Sequence, residues 1–329
     1  MNCLKRSLLG GGAALALGAL TMGLPAAARA EDGAGLVNDL HSAFGDHHAR
    51  AVHAKGIILE GTFVPTKAAH GLSAAEVFAE PASKLTVRFS DFTGIPDIPD
   101  NIDEANPRGF AVKFQNEKGA PLDIVSHNFN GFPTATSDEF GELLRAIGSS
   151  GPTAAKPTAL DKFLGSHPIA KTFLTTQNPP PVSYATTTYF GVNSFAFVDA
   201  KGKKTYVRYR FVPKAGEHYV DAAAKKTLGA NYLQTEIGKR VAAGPIAFDW
   251  YAQISQPGDK IEDPSIAWPE SRKLVKLGTL KIDRLAADQA SADKALLFLP
   301  GSPPSGIEAA DPMLKIRNEA YPVSFSGRQ

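Results

Sequence analysis

Three histidines gather just before an apolar stretch, in the segment HHARAVHAKGIILEGTF that begins at His47. Imidazoles in such a group are typical of a metal site, of a solvated loop, or of a surface segment that leads to one catalytic base. A zinc site made of His47, His48 and His53 stays open, although no Asp, Glu or His constellation elsewhere in the sequence completes a familiar geometry. The choice depends on which residues the chain places opposite His53.

A second candidate pair lies near the C-terminus, where Arg317 and Tyr321 are four residues apart in a helical pattern and therefore share one face. A guanidinium beside a phenol hydroxyl favours the phenolate form. A phenolate is a negatively charged axial ligand that can hold haem iron. The alternative is an ordinary helix that packs a tyrosine beside an arginine, and for this pair alone the alternative is favoured.

Three further arginines indicate a binding site only when they are considered together. Arg50 precedes His53 by three residues, Arg88 lies in the apolar segment VRFS, and Arg328 follows Tyr321 by seven residues. Haem carries two propionates, which need cationic partners when they are buried. Taken singly, each of these arginines is more typical of a solvated surface.

The first thirty residues indicate a cleavable export signal. They contain a basic start at Lys5 and Arg6, an apolar run, and small residues at Ala28 and Ala30. A membrane anchor is the alternative, but the run holds five glycines and ends at an Ala-x-Ala site. We therefore expect residues 1–30 to be removed, no stable membrane insertion afterwards, and a periplasmic or secreted protein. A twin-arginine signal is only weakly matched, so the export route stays open.

Cysteine and charge exclude several classes. The only cysteine, Cys3, would leave with the signal, which excludes disulfides, thiolate catalysis, thiolate-ligated haem and covalent haem attachment in the mature protein. The signal also carries Lys5, Arg6 and Arg29 and no acidic residue, so its loss changes the formal net charge from +2 to −1. A near-neutral chain gives no indication of a nucleic-acid partner.

The elements that must position these residues alternate short β-like runs with turns, and the helical segments arrive in blocks. This order predicts an α+β fold, a mainly antiparallel sheet or barrel with added helices, as one domain over residues 31–329. Thr136 and Glu139 fit a capping box before a helix, and Lys201-Gly202 lies in the turn of the clearest hairpin. Loops are predicted at SGPTAAKPTAL and QNPPPVSY, and strands at GIILEGTFV, KLTVRFS, GFAVKF, LDIVSHNF, NSFAFVDAKGKKTYVRYRFV, IAFDWYAQIS and LVKLGTLKID.

Several motifs together resemble the monofunctional haem catalases: RAVHAKG, VRFS, NPRGFAVKF followed by LDIV, and PPSGIEAADPMLKIRNEAYP. Their order and approximate spacing match over Arg50 to Arg328, and the chain looks like a small member of that superfamily, the exported catalase-related peroxidases. The resemblance implies a catalase-like antiparallel β-barrel with added helices, without a C-terminal flavodoxin-like extension.

The resemblance also implies roles on the side where peroxide would bind. His53 matches the base that moves a proton between the two peroxide oxygens, and Ser90 matches the serine that orients this base. Val52 matches the apolar residue against the haem face, and Phe140 matches the phenylalanine stacked on the ring. His47 and His48 are then expected to be solvated.

For holding the cofactor, the resemblance makes Tyr321 the iron ligand, Arg317 its charge partner, and Asp311 the residue behind that arginine. The cofactor implied is non-covalent haem b (heme b, iron protoporphyrin IX). The arginines matched to its propionates are Arg50, Arg88 and Arg328.

The chain departs from the family pattern at three places. Where catalases have Gly-Asn-Asn, this sequence has Ser-His-Asn, so either His127 replaces the first asparagine or Asn128 turns into the site. Asn193 stands where catalases have a histidine, and RNEAYPV lacks the usual Phe and Asp around Tyr321. We expect peroxide cleavage to survive these changes and oxidation of a second peroxide to be impaired.

The expected activity is therefore a haem peroxidase that reduces hydrogen peroxide or an organic hydroperoxide with a small organic electron donor. The alternatives are a small true catalase, an enzyme that converts fatty-acid hydroperoxides in the manner of allene oxide synthase, and a haem carrier without turnover. His53 argues against the carrier, because a carrier has no use for a base. The sequence leaves open the natural donor and whether the protein is a monomer or a homodimer.

Overall fold

The computed structural model describes residues 31–79 and 81–329. The predicted export signal, residues 1–30, lies outside the described residues. The chain from Glu31 to Gln329 forms one compact unit. Within the described residues no helix is long and apolar enough to cross a membrane.

Eight antiparallel strands close into a barrel in sequence order, and a short ninth strand adds to the fifth. Closure takes place where the first strand pairs with the eighth and where His127 pairs with Phe190, joining the fourth strand to the fifth. The strands are β1 Gly56–Pro65, β2 Ser83–Ser90, β3 Gly109–Gln115, β4 Leu122–His127, β5 Tyr189–Val198, β6 Lys204–Pro213, β7 Ile246–Ile254, β8 Leu274–Leu285 and β9 Ile307–Ala309.

Aromatic side chains fill the barrel. Trp250, fully buried on β7, packs against Phe63 and Phe78 at ring-centroid distances of 5.4 Å and stacks on Phe114 at 5.0 Å. Alternate residues of each strand point inward, so the apolar residues at every second position meet in one core.

Helices cover one side of the barrel and leave a second apolar cluster between them and the strands. The first helix packs against the fourth and the tenth, and its Gly33 lies directly on the backbone of Glu319. A side chain at Gly33 would push the first helix away from the tenth. The helices are α1 Gly33–Phe44, α2 Lys67–Leu72, α3 Glu76–Ala79, α4 Ser137–Gly148, α5 Ala159–Ser166, α6 Pro168–Thr175, α7 Ala222–Lys225, α8 Tyr232–Ala243, α9 Gln289–Ala295 and α10 Met313–Ser326.

The predicted α+β barrel, its strands and the β5–β6 hairpin are confirmed. Three local expectations change. Thr136 caps α4, but the Glu139 carboxylate accepts from the N–H of Ala135 instead of from that of Thr136, so the capping box is only half formed. The predicted loop SGPTAAKPTAL contains the start of α5, and α10 continues past Pro322. The sequence did not predict the short helices α2, α3, α6 and α9.

Candidate active site

A deep cavity lies between the barrel wall and helices α1, α4 and α10. It leaves about 1340 Å³ free of protein atoms, its open mouth included. Its walls are mostly apolar. Ten of the twelve residues predicted for the site line it, and Asn128 and Asp311 do not: the ten are Arg50, Val52, His53, Arg88, Ser90, His127, Phe140, Arg317, Tyr321 and Arg328.

His53 is held in an unusual backbone conformation between α1 and β1. Its φ angle is 56°, in the left-handed region that non-glycine residues rarely adopt. Its N–H donates to the carbonyl of Phe92 over 2.9 Å, and its own carbonyl accepts from Arg88 over 2.8 Å. The backbone of His53 is therefore held by hydrogen bonds on both sides.

The ring of His53 is oriented by β2. Nδ1 lies 3.1 Å from the Oγ atom of Ser90, which leaves Nε2 as the nitrogen available to a ligand in the cavity. Burial, followed by the neighbouring His127 and Arg88, lowers the pKa of His53 to about 3. The ring is thus neutral at physiological pH and able to accept a proton.

A row of three residues runs across the barrel wall beneath this histidine. Ser90, Gly109 and His127 are paired neighbours on β2, β3 and β4, so their positions face the same side of the sheet. A Cβ atom at Gly109 would overlap the Oγ atom of Ser90 and lie 2.8 Å from Nδ1 of His53. The space that the Ser90–His53 contact occupies exists because the middle residue has no side chain.

His127 is a second histidine that lines the cavity, and its ring nitrogens have different partners from those of His53. Its Nδ1 accepts a hydrogen bond from the N–H of Phe129 over 3.3 Å, while its Nε2 is buried without a partner. Burial and then Arg317 lower its pKa to about 3, so the ring is neutral. A neutral imidazole whose Nδ1 accepts carries its proton on Nε2, and His127 is therefore a donor toward the cavity.

The alternative that Asn128 turns into the site does not fit the structure. Asn128 is buried outside the cavity, where its Oδ1 accepts from the N–H of Arg108 over 2.7 Å and its Nδ2 donates to Thr187 over 3.4 Å. Successive residues at the end of β4 point to opposite faces, so the residue that faces the cavity is His127.

Tyr321 and Arg317 meet on α10 as their spacing predicts. A guanidinium N–H of Arg317 donates to the hydroxyl of Tyr321 over 2.8 Å, and the Nε of Arg317 is buried without a partner. Asp311 does not bond Arg317; it accepts from Asn193 over 2.7 Å and from the N–H of Met313 over 2.9 Å. Asn193 lines the cavity beside the pair.

The three predicted propionate arginines lie together at one end of the cavity. The carboxylate of Asp293 accepts from Arg50 over 3.3 Å and from Arg88 over 2.7 Å. The carbonyl of Leu296 accepts from Arg328 over 2.7 Å and from Arg50 over 2.8 Å. Sequence reasoning missed Asp293, because it is 243 residues from Arg50 and lies in a polar segment typical of an exposed helix.

The remaining histidines of the opening segment do not reach the cavity. Nε2 of His47 is 2.8 Å from the carbonyl of Phe44, and both His47 and His48 are exposed. Among residues 31–79 and 81–329, no group of three or more His, Cys, Asp or Glu side chains could hold a metal ion. The zinc alternative therefore has no geometric support.

The side chains of the cavity fit a haem. They offer one phenol hydroxyl paired with a guanidinium for the iron, three arginines for two carboxylates, and apolar walls for the ring. The buried Nε atoms of Arg317 and Arg328 and the Nε2 of His127 lack partners, so these cavity-lining side chains have unpaired nitrogens for a ligand.

Comparisons with known proteins agree with this geometry. The family model described as "Catalase" matches residues 44–328. A catalase-related peroxidase of Synechococcus elongatus is 33% identical over 285 residues, which cover 85% of this chain and 83% of the relative. A catalase-related peroxidase of Mycolicibacterium paratuberculosis is 34% identical over 283 residues, covering 85% of this chain and 88% of the relative.

Solved structures show the same fold at lower identity. A fungal catalase superposes with a TM-score of 0.75 at 21% identity, and catalase A of Saccharomyces cerevisiae with a TM-score of 0.74 at 20% identity. The match covers 85% of this chain in both cases, but only 59% and 61% of the two catalases. The chain thus corresponds to part of the length of these larger proteins.

Proposed function

Because this chain belongs to the catalase family and is a haem enzyme that acts on peroxide, we propose that it works as a haem b peroxidase. In this proposal an organic donor supplies the electrons, and dismutation of hydrogen peroxide is weak or absent. The observation that carries the proposal is the pair of cavity histidines: His53 with a free Nε2, and His127 with an Nε2–H.

Each histidine has its own task in peroxide cleavage. His53 takes the proton from one peroxide oxygen and returns it to the other, which leaves as water; transfer of this kind accelerates reactions ~10²–10⁴-fold. His127 donates its Nε2–H to a peroxide oxygen and stabilises the charge that develops there. Ser90 keeps Nδ1 of His53 occupied, so that Nε2 is the nitrogen that reacts.

The cofactor would be held by residues that already surround the cavity. Tyr321 would ligate the iron, Arg50, Arg88 and Arg328 would bind the carboxylates, and the apolar walls with Val52 and Phe140 would contact the ring. Bound haem would supply the two electrons that reduce peroxide when its O–O bond breaks, and the organic donor would then restore these electrons to the haem. The absence of cysteine from residues 31–329 supports non-covalent attachment.

His127 is also a reason to expect that catalase activity is weak or absent. Dismutation requires a second peroxide to be oriented and oxidised in the same space. The imidazole of His127 is larger than the asparagine amide of the family pattern, and its Nδ1 accepts from the N–H of Phe129, so it is less suited than the amide to orient a second peroxide. Asn128 points away and cannot take over this role.

The proposal is tested by measuring two rates on one haem-loaded preparation. Peroxide consumption with an aromatic donor is expected to be fast, and oxygen evolution without a donor is expected to be slow. Rapid donor-free oxygen evolution would show a true catalase. A fatty-acid hydroperoxide assayed in parallel separates peroxidase activity from isomerisation of the hydroperoxide without a donor.

We further propose export to the periplasm or the medium after removal of residues 1–30. Intact mass of the protein recovered from its native compartment tests this step. A protein that starts at Glu31 is expected, whereas a full-length cytoplasmic protein would contradict the proposal.

A further inference from the structure

One carboxylate lies among the arginines at the end of the cavity. Asp293 on α9 is 2.7 Å from Nε of Arg88 and 3.3 Å from Nε of Arg50, and its side chain is 36% exposed, whereas those of the arginines are 4% and 13% exposed. The carboxylate therefore reaches the two buried guanidiniums from the solvent side.

The end of α9 supplies further acceptors for the same cations. The carbonyl of Asp293 accepts from Arg50 over 3.1 Å, and the carbonyl of Leu296 accepts from both Arg50 and Arg328. The last carbonyls of a helix have no partner within the helix and are free for such contacts. One helix end thus holds three guanidiniums that come from distant parts of the chain.

Charge in this cluster is unbalanced. Three guanidiniums meet one carboxylate, and burial together with the neighbouring Arg88 lowers the pKa of Arg50 to about 9. Burial by itself raises the pKa of Asp293, but Arg88 and Arg50 outweigh it and hold that pKa below its ordinary value. Asp293 is the anion that offsets the mutual repulsion of these arginines while no ligand is bound.

We propose that Asp293 is a positioning residue. In the haem-free protein its carboxylate holds Arg50 and Arg88 together at the place where the haem carboxylates would bind. This inference rests on the proposed binding of haem. Two haem carboxylates bound in the cluster would offset the charges of the arginines. Asp293 would then contribute less to the stability of the haem-loaded protein than to that of the haem-free protein. A group that stabilises mainly the haem-free state weakens binding of haem.

Asp293→Asn tests this, because it removes the charge and keeps an oxygen for the two arginines. The midpoint of thermal unfolding is measured with and without haem for each protein, together with the rate at which haem leaves to an excess of apomyoglobin. The variant is expected to lose more stability without haem than with it, so that haem raises its midpoint further than it raises the wild-type midpoint. Haem should leave the variant more slowly, by roughly two- to fivefold for a partly exposed ion pair.

Two controls match the change. Glu270→Gln removes a carboxylate from another largely buried arginine, Arg210, which does not line the cavity, and it should leave the effect of haem on the midpoint unchanged. Asp293→Glu keeps the charge and should behave as the wild type does. If Asp293→Asn is unfolded without haem but folds when haem is added, the inference is supported in its strongest form.

The outcomes separate this inference from the proposed function. A wild type that binds no haem would overturn both. The role of Asp293 alone would be overturned by the following result with a wild type that binds haem. Haem raises the midpoint of Asp293→Asn no further than it raises the wild-type midpoint, and haem leaves the variant as fast as it leaves the wild type, or faster.

Discussion

The Oγ atom of Ser90 lies 3.1 Å from Nδ1 of His53, although the two residues belong to different elements. Ser90 ends β2, whereas His53 lies in the loop before β1 with a left-handed backbone. The contact fixes which imidazole nitrogen faces the cavity. A base with one free nitrogen in a mostly apolar cavity is suited to move a proton between two oxygens that lie close together.

Replacement of His53 by alanine is expected to slow the reaction with peroxide ~10²–10⁴-fold, because the imidazole nitrogen that accepts the proton is lost. Stopped-flow mixing of the haem-loaded protein with peroxide, followed by haem absorption, measures this rate. His47→Ala and His48→Ala are matched controls, since both side chains are exposed outside the cavity. Equal losses in all three variants would show that the three histidines act as one cluster.

Gly109→Ala is expected to slow the same reaction without unfolding the protein. The added methyl group would overlap Oγ of Ser90 and lie 2.8 Å from Nδ1 of His53, so the serine must turn and the imidazole loses its orientation. Gly238→Ala on α8 is the control, because its nearest neighbour would be at an ordinary 3.8 Å. Wild-type peroxide kinetics in Gly109→Ala would show that Ser90 is not needed to orient the base.

Much of this site could be predicted from the sequence because its residues lie in short motifs with fixed spacing. Arg317 and Tyr321 meet since residues four apart share a helix face. The choice between His127 and Asn128 could not be made, because it depends on where β4 ends and on the partners that Asn128 finds in Arg108 and Thr187.

Other features depend on contacts between distant segments and leave no local signal. Asp293 lies in a polar stretch, and only the fold brings it to Arg50 and Arg88. The end of α10 could not be predicted either, because a proline such as Pro322 normally ends or kinks a helix, whereas here the helix continues to Ser326.

Tyr321→Phe removes the phenol that would ligate the iron and keeps the shape of the side chain. Haem content is expected to fall, or the absorption spectrum of the bound haem to change, because no oxygen remains next to Arg317 at this position. Absorption after reconstitution and haem extraction into acidic organic solvent measure both quantities. Tyr206→Phe, at an exposed position on β6, should leave them unchanged. An unaltered spectrum in Tyr321→Phe would assign the ligand to another residue.

Stability of the haem-free protein should fall as the pH is lowered from 7 to 5. Burial lowers the pKa values of His53 and His127 to about 3 in the folded protein, against an ordinary value of 6.5. Below pH 6.5 the unfolded chain therefore binds protons that the folded chain refuses, and the free energy of unfolding decreases by up to ~1.4 kcal/mol per pH unit for each histidine. This contribution is fully present above pH 6.5 and is lost progressively toward pH 3.

Urea unfolding of wild type and His127→Gln at several pH values between 7 and 5 isolates one of these protons. The variant lacks one refused proton, so its free energy of unfolding should depend less steeply on pH. His70→Gln, which changes an exposed histidine on α2, should keep the wild-type slope. If the free energy of unfolding depends equally steeply on pH in wild type and His127→Gln, the pKa of His127 in the folded state is not lowered from its ordinary value. Its Nδ1 could not then accept from the N–H of Phe129 at mildly acidic pH, and its assignment as a neutral donor would fail.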